Sequence, residues 1–408
     1  MKHNVQEALL KEANQIASQC DRCGSCRLVC PLFGVNDIES ASARGKNNIA
    51  RALAMGGLEP TPEVTAAVNF CLLCRACVEN CPSKVKTDEA MIAVRQHLAD
   101  YQGGTSVKYK FLGTMLKTRV LVKIAAGAMG AMRKTGIHRI IPRGMVPAAF
   151  TRQQFLSAFA GPATLGEAAA VSAKPVPTQA KVAYFYGCGM RMMFPEAAAD
   201  TLAILRSLTQ PQLVDNVCCG LPHLAHGLRK DFLALAKENI RLYEDCDVVV
   251  SDCASCSSTL KHIAGYFADD HEWRERALKF SQKVMDLTEY LVKAGYQPRQ
   301  RITAKMTFHE PCHLGRGQGI KKQPRELLQA AGDYIEMAGA DTCCGGAGSF
   351  HMDFPAVSDQ VLAKKQAAIE ETAAQIVVTE CPVCLSQMAK AAEQSGGKFR
   401  AMHISQVI

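Results

Sequence analysis

Cys20-Asp21-Arg22-Cys23-Gly24-Ser25-Cys26-Arg27-Leu28-Val29-Cys30-Pro31 decides how this chain is read. It spells C-x2-C-x2-C-x3-C-P. The same spelling returns at Cys71, Cys74, Cys77, Cys81 and Pro82. Soft thiolate sulfur suits iron in a sulfide cage. Three cysteines at C-x2-C-x2-C wrap a turn of chain around one cubane, and the fourth does not close the same cubane comfortably. A structural zinc site takes four ligands in two pairs, which a doubled four-cysteine run does not resemble. Pro31 and Pro82 keep the following segment from continuing a regular helix.

In two-cluster ferredoxins the fourth cysteine ligates the other cluster. Applied here, one [4Fe-4S] cluster takes Cys20, Cys23, Cys26 and Cys81, and a second takes Cys71, Cys74, Cys77 and Cys30. The expected N-terminal module is therefore helical and ferredoxin-like, over residues 1–100.

Working outward, eighteen of the nineteen cysteines fall into four blocks. The third is Cys188, Cys218-Cys219-Gly220 and Cys253-Ala254-Ser255-Cys256. The fourth is Cys312, Cys343-Cys344-Gly345 and Cys381-Pro382-Val383-Cys384. The fourth repeats the third at a period near 125, with only loop-sized drift. Two copies imply pseudo-twofold halves, not a solenoid, which needs more repeats. Each block offers five thiols, one more than an ordinary cubane takes. Adjacent cysteines chelate one iron poorly but bridge neighbouring irons well. Gly220 and Gly345 let the backbone turn tightly beside the metal and are the expected cofactor-contacting glycines. Cys246 fits no block and reads as packing ahead of a strand.

The 408 residues are 48% hydrophobic, which suits two or three globular domains. No run of about 18 uncharged apolar residues would span a bilayer, and the start lacks the apolar core of a secretory signal. The expected compartment is the reducing cytoplasm, where patterned cysteines bind metal more often than they form disulfides. The net charge is +9, but between Tyr101 and Lys181 twelve Lys/Arg face the single acid Glu167. The basic residues there include Lys108, Lys110, Lys117, Arg119, Lys123, Arg133, Lys134, Arg139 and Arg143. Such a stretch suits an acidic partner or an anionic membrane surface, or is a solvated linker. No nucleic-acid motif accompanies it, so nucleic acid is not an expected partner.

Residues 101–180 read as a basic connector with an amphipathic helix at Leu112–Met132, closed by linker signals at Gly161-Pro162 and Lys174-Pro175-Val176-Pro177. Before it, Asn4–Ala17 has helical spacing, and Thr61-Pro62 starts a helix. Beyond it, short apolar runs at 182–186, 248–252, 306–308 and 376–380 alternate with helical stretches at Asp231–Tyr243 and Val357–Ala373. That alternation predicts two α/β units with parallel strands, 181–300 and 301–408, in an α+β multidomain chain. The cysteines follow the C-terminal ends of the strands, the edge where open α/β sheets bind ligands.

On these motifs the chain resembles the CCG cysteine-rich domains of heterodisulfide reductase. With the ferredoxin module in front, it is similar to the iron–sulfur proteins that serve glycolate oxidase, D-lactate dehydrogenase and anaerobic glycerol-3-phosphate dehydrogenase. The resemblance implies a helical two-[4Fe-4S] domain followed by two pseudo-symmetric α/β CCG domains. In heterodisulfide reductase such five-cysteine blocks hold noncubane four-iron clusters. Both blocks are complete here, whereas many flavoprotein-associated relatives have lost cysteines from the first. Up to two further clusters, noncubane in form, are thus implied.

His309, His313, His223 and His351 lie near the blocks and read first as structural. Gly315-Arg316-Gly317-Gln318-Gly319 is not a G-x-G-x-x-G nucleotide loop, and no stretch supplies a flavin fingerprint. Oxidising a hydroxyacid needs a two-electron acceptor, usually a flavin. The leading expectation is therefore an electron-transfer subunit, not catalytic alone. An FAD-binding dehydrogenase partner oxidises glycolate or D-lactate, and electrons pass to a quinone or other membrane carrier. The 101–181 region makes peripheral contact with the inner face of the membrane. The alternative is a heterodisulfide or thiol reductase that cleaves S–S bonds at noncubane clusters.

Overall fold

The computed structural model describes residues 2–135, 180–299 and 301–408. The linker expected at Gly161-Pro162 and Lys174–Pro177, with Arg139 and Arg143, lies outside the described residues. The chain forms two compact units. The first gathers residues 1–114, 221–232 and 342–365, and the second 115–220, 233–341 and 366–408.

In the first unit the helices Lys2–Ala17, Ala43–Ala54, Pro62–Asn69 and Thr87–Tyr101 share one core. Leu9, Ala13 and Ala17 recur every four residues on the first helix and are buried against Ala50, Val68, Met91, Val94 and Leu98. Small alanines let the helix axes approach closely. Thr61 caps its helix, its Oγ1 accepting from Val64 N, and Pro62 occupies the first helical position where no N–H is needed. The segments that follow Cys219-Gly220 and Cys344 belong to this unit. Phe70 packs on Phe350 and Phe354, with ring centroids 5.8 and 5.1 Å away.

The second unit holds two sheets of four parallel strands. Strands β1 (Val182–Tyr184), β2 (Gln212–Leu213), β3 (Val248–Ser251) and β4 (Val284–Asp286) order as β2-β1-β3-β4. Strands β5 (Ile302–Phe308), β6 (Gly332–Tyr334), β7 (Ile376–Thr379) and β8 (Arg400–His403) order as β6-β5-β7-β8. The central strands are covered on both faces, so Val248-Val249-Val250 and Ile376-Val377-Val378 read as unbroken apolar runs.

The four expected strands are the central ones. The edge strands β2, β4, β6 and β8 went unread because they are short and only partly apolar. The apolar stretch after Leu112 is two helices, Val107–Lys117 and Arg119–Thr135, interrupted at Thr118. No helix among the described residues is long and apolar enough to cross a membrane.

Candidate iron–sulfur centres

The two C-x2-C-x2-C loops adopt one backbone shape. Arg22 (φ 58°) and Gly24 (φ 86°) are left-handed in the first, and Leu73 (φ 52°) and Arg75 (φ 62°) occupy the same positions in the second. Three of these residues carry a Cβ, which costs about 1–2 kcal/mol each. Such strain, alike in both copies, fits loops shaped around a bound group. Short helices Ser25–Val29 and Ala76–Glu79 then carry Cys26 and Cys77.

The eight motif cysteines line two cavities. Cys20, Cys23, Cys26 and Cys81 line one cavity of about 380 Å³. Cys30 joins Cys71, Cys74 and Cys77 around another of about 420 Å³. Cys77 lines both. Four thiols around a void of this kind fit a [4Fe-4S] cluster by donor chemistry alone. Burial pushes the Cys30 thiol up to about 11 and raises Cys77 and Cys26 as well. Iron must therefore displace protons from these sulfurs as it binds.

Two buried cations attend the second cavity. The Lys46 ammonium is 1% exposed and donates to Ser40 O (2.8 Å) and Ala67 O (3.1 Å). Burial lowers its pKa, and the neighbouring Cys71, Cys30 and Cys77 thiols oppose that shift. Arg95 donates to the carbonyls of Val68, Asn69 and Cys71. Among the described residues neither cation pairs with a carboxylate. At the first cavity Arg44 is instead held bidentately by Glu39 (2.7 and 2.9 Å). No sequence signal marks Lys46 or Arg95, because each looks like an ordinary charge on a helix.

In the second unit all five thiols of the third block meet. Cys188 Sγ lies 3.6 Å from Cys218 Sγ, and Cys219, Cys256 and Cys253 follow in hydrogen-bonding sequence. Each element has a reason. Cys188 and Cys253 stand just past β1 and β3, where a helix begins: Cys188 is its first residue and Cys253 its cap. Gly220, at φ 91°, turns the chain so that its N–H donates to Cys218 Sγ (3.4 Å). Asn239 Nδ2 fixes the Cys218 carbonyl at 3.0 Å.

The fourth block is divided between the units. Cys312, Cys381 and Cys384 fall in the second, and Cys343 and Cys344 in the first. Cys381 caps the Pro382–Gln394 helix and reaches Cys384 and, across the two sheets, Cys253; these bonds hold its thiol well below the usual range. The strand ends are tied where Ala254 N donates to Glu380 O (2.8 Å) and His403 Nε2 meets Asp252 O (2.9 Å). In the first unit Cys343 bonds Cys344 and also Cys74, one of the cysteines of the 420 Å³ cavity. Gly345 is left-handed (φ 80°), as its position required.

His313 Nδ1 lies 3.5 Å from Cys312 Sγ. His223 and His351 bond main-chain carbonyls, a structural use. His309 differs: it is 1% exposed, neither ring nitrogen has a hydrogen-bond partner among the described residues, and it comes within 4.8 Å of the Cys384 sulfur. Cys246 is buried, donating to Gln212 Oε1 at 3.5 Å, apart from every block.

A 4Fe-4S dicluster domain family matches residues 16–85, and a cysteine-rich domain family matches 182–261 and 306–389. The chain is 29% identical, over 95% of its length and 92% of the relative's, to a probable glycolate oxidase iron–sulfur subunit of Bacillus subtilis. It is 32% identical to lactate utilization protein A of Shouchella clausii, covering 98% of that protein and 56% of this chain. The chain belongs to the glycolate oxidase and lactate utilization family of iron–sulfur proteins. A less similar relative, an uncharacterized iron–sulfur protein of Methanocaldococcus jannaschii, is 27% identical over 91% of the chain and 68% of its own length. Membership in this family explains the order of parts: one dicluster module, then two cysteine-rich domains.

Proposed function

We propose that this chain is the electron-transfer subunit of a flavin-dependent 2-hydroxyacid dehydrogenase complex of the glycolate or D-lactate type. A partner protein with bound FAD oxidises the hydroxyacid, and this chain delivers the electrons to a quinone or another membrane carrier. Residues 1–100 form the dicluster domain, and 181–300 and 301–408 the two cysteine-rich domains, related by a pseudo-twofold duplication. Cys20, Cys23, Cys26 and Cys81 hold one [4Fe-4S] cluster, and Cys71, Cys74, Cys77 and Cys30 the other. The two five-thiol blocks hold up to two more, of noncubane form. When bound, the clusters supply one-electron transfer.

The observation that carries this reading is that thiol sets adjoin one another within each unit. In the first, Cys77 lines both dicluster cavities and Cys74 touches Cys343; in the second, Cys381 touches Cys253 of the third block. Adjoining thiol sets suit conduction better than a single reaction centre. The basic, partly apolar stretch from residue 101 is the proposed contact with the cytoplasmic face of the membrane. Val120 and Ile124 are exposed on the Arg119–Thr135 helix, and Lys110 is exposed on the Val107–Lys117 helix.

The test is anaerobic purification with the partners, followed by EPR on adding glycolate or D-lactate. Hydroxyacid-dependent signals from reduced clusters are expected. A complex that turns over disulfides but never responds to a hydroxyacid overturns the proposal. That outcome would favour the disulfide reductase reading, which rests on the complete five-thiol set at Cys188–Cys256.

A further inference from the structure

His309 is the first residue past β5, at the sheet edge where Cys312 and Cys381 also stand. Its side chain is 1% exposed, and neither ring nitrogen has a hydrogen-bond partner among the described residues. A buried polar group left unmade costs about 1–3 kcal/mol. His403, equally buried, shows the ordinary solution: its ring meets Ser405 Oγ at 2.8 Å and Asp252 O at 2.9 Å. The main-chain N–H of His309 is satisfied, donating to Val378 O at 2.9 Å. The adjacent carboxylate of Glu310 is engaged by Arg325 at 2.6 Å. The deficit is confined to the His309 ring.

The duplication sets a second residue beside this one. His309 stands three residues before Cys312, and Phe185 stands three before Cys188. The two make the same main-chain bond. Phe185 N donates to Val250 O at 2.8 Å, and Val250 precedes Cys253 by three residues, as Val378 precedes Cys381. Phe185 is fully buried, its ring centroid 6.0 Å from that of Tyr243. A phenyl ring serves this position in one domain, so packing alone does not call for nitrogen in the other. Imidazole brings two polar atoms into a dry interior, which needs a partner to offset it.

The chemistry of a partner is close by. A ring nitrogen of His309 comes within 4.8 Å of Cys384 Sγ, and both residues belong to the second unit. Metal bonds of about 2.0–2.1 Å to nitrogen and 2.3 Å to thiolate let two donors on one metal stand up to about 4.4 Å apart. The pair is a small adjustment from sharing one. Imidazole suits iron as a ligand. His313 is placed differently, its Nδ1 already engaged with Cys312 Sγ at 3.5 Å.

We propose that His309 is an iron ligand of the fourth block, bound through a ring nitrogen beside Cys384. The two cysteine-rich domains then carry unlike centres: thiolate alone at Cys188–Cys256, nitrogen and thiolate at Cys312–Cys384. The inference rests on the reading that the fourth block holds iron, and goes beyond it by separating the two domains. Neutral imidazole in place of anionic thiolate raises a cluster's potential. The fourth-block centre is therefore the more oxidising of the two, and electrons settle there first.

The test uses the full-length, iron-loaded chain, reduced under anaerobic conditions and examined by pulsed EPR for nitrogen hyperfine coupling. The large coupling of a directly bound nitrogen is expected, changing to the 15N pattern in a chain grown with 15N-histidine. His313→Gln should keep that coupling. His309→Phe, which installs the ring found at 185, should abolish it and lower the midpoint potential of one centre. Should His309→Phe lose iron, the 15N-labelled His313→Gln chain decides. Iron at the fourth block with only the weak coupling of a hydrogen-bonded imidazole overturns the proposal. So does a wild-type coupling that persists in His309→Phe. Iron counting separates the two levels. If Cys381→Ala/Cys384→Ala removes no iron, the fourth block holds none, and both the ligand and the reading beneath it fall. If that variant loses about four irons per chain and the large coupling is absent from wild type, the ligand alone falls.

Discussion

The guanidinium of Arg95 donates to the carbonyl oxygen of Cys71 across 2.8 Å, from a side chain with no carboxylate partner among the described residues. With Lys46, it places two buried positive charges beside one dicluster cavity. Beside the other cavity Arg44 is already neutralised by Glu39. Positive charge favours the reduced form of a nearby redox centre. The Cys30/Cys71/Cys74/Cys77 centre should therefore have the higher potential. Lys46→Met should lower it by tens of millivolts, the order expected for the loss of one nearby buried charge. An EPR-monitored redox titration reads this directly, and equal potentials in variant and wild type would contradict it.

The proposed crossed ligation makes a second prediction. Cys30→Ala removes a ligand from the cavity lined by Cys71, although it lies in the first motif. The variant should lose about four irons per chain and keep the EPR signal of the Cys20/Cys23/Cys26/Cys81 centre. Cys246→Ala should keep every iron, since Cys246 bonds Gln212 and among the described residues touches none of the block cysteines.

Gly345 follows the Cys343–Cys344 pair with φ 80°, and a Cβ there would stand 2.8 Å from Ser358 O. Gly345→Ala combines backbone strain with a clash against main chain that cannot swing aside. A loss of roughly 2–3 kcal/mol is expected, read as a fall in thermal midpoint. Gly348, also left-handed but with nothing near its missing Cβ, should tolerate alanine better.

His226 stacks on Tyr109, ring centroids 3.5 Å apart, and Ser349 Oγ lies 2.7 Å from its Nε2. Burial, then the charge of Arg95, pushes its pKa down from 6.5 to about 4, with Asp353 opposing and Lys108 and His223 assisting. A depressed imidazole means that the unfolded chain binds the extra proton. Its contribution is intact above pH 6.5 and is lost as pH falls toward 4. Thermal midpoints at pH 7 and pH 5 should differ less in His226→Phe, which keeps the stack and cannot ionise. An unchanged difference would remove His226 from the acid response.

The cysteine blocks were legible because ligand spacing is a local property. Cys20 to Cys30 lie within one loop and its short helix, and their repetition at Cys71 to Cys81 needs no tertiary information. The central strands were legible for a related reason. β3 and β7 are covered on both faces, so their apolar runs stand out. Edge strands such as Gln212–Leu213 are exposed and exist only because β1 offers a partner. The cations at the second cavity were illegible because burial of Lys46 depends on helices brought together from distant sequence.

By itself, then, the sequence determined which atoms can bind iron and how many sets they form, since thiol spacing and duplication are written along the chain. Only the tertiary structure decided which sets neighbour one another. It brought Cys343 to Cys74 and Cys253 to Cys381. Those relations depend on distances through space between residues far apart in the chain, set by how helices and strand ends pack.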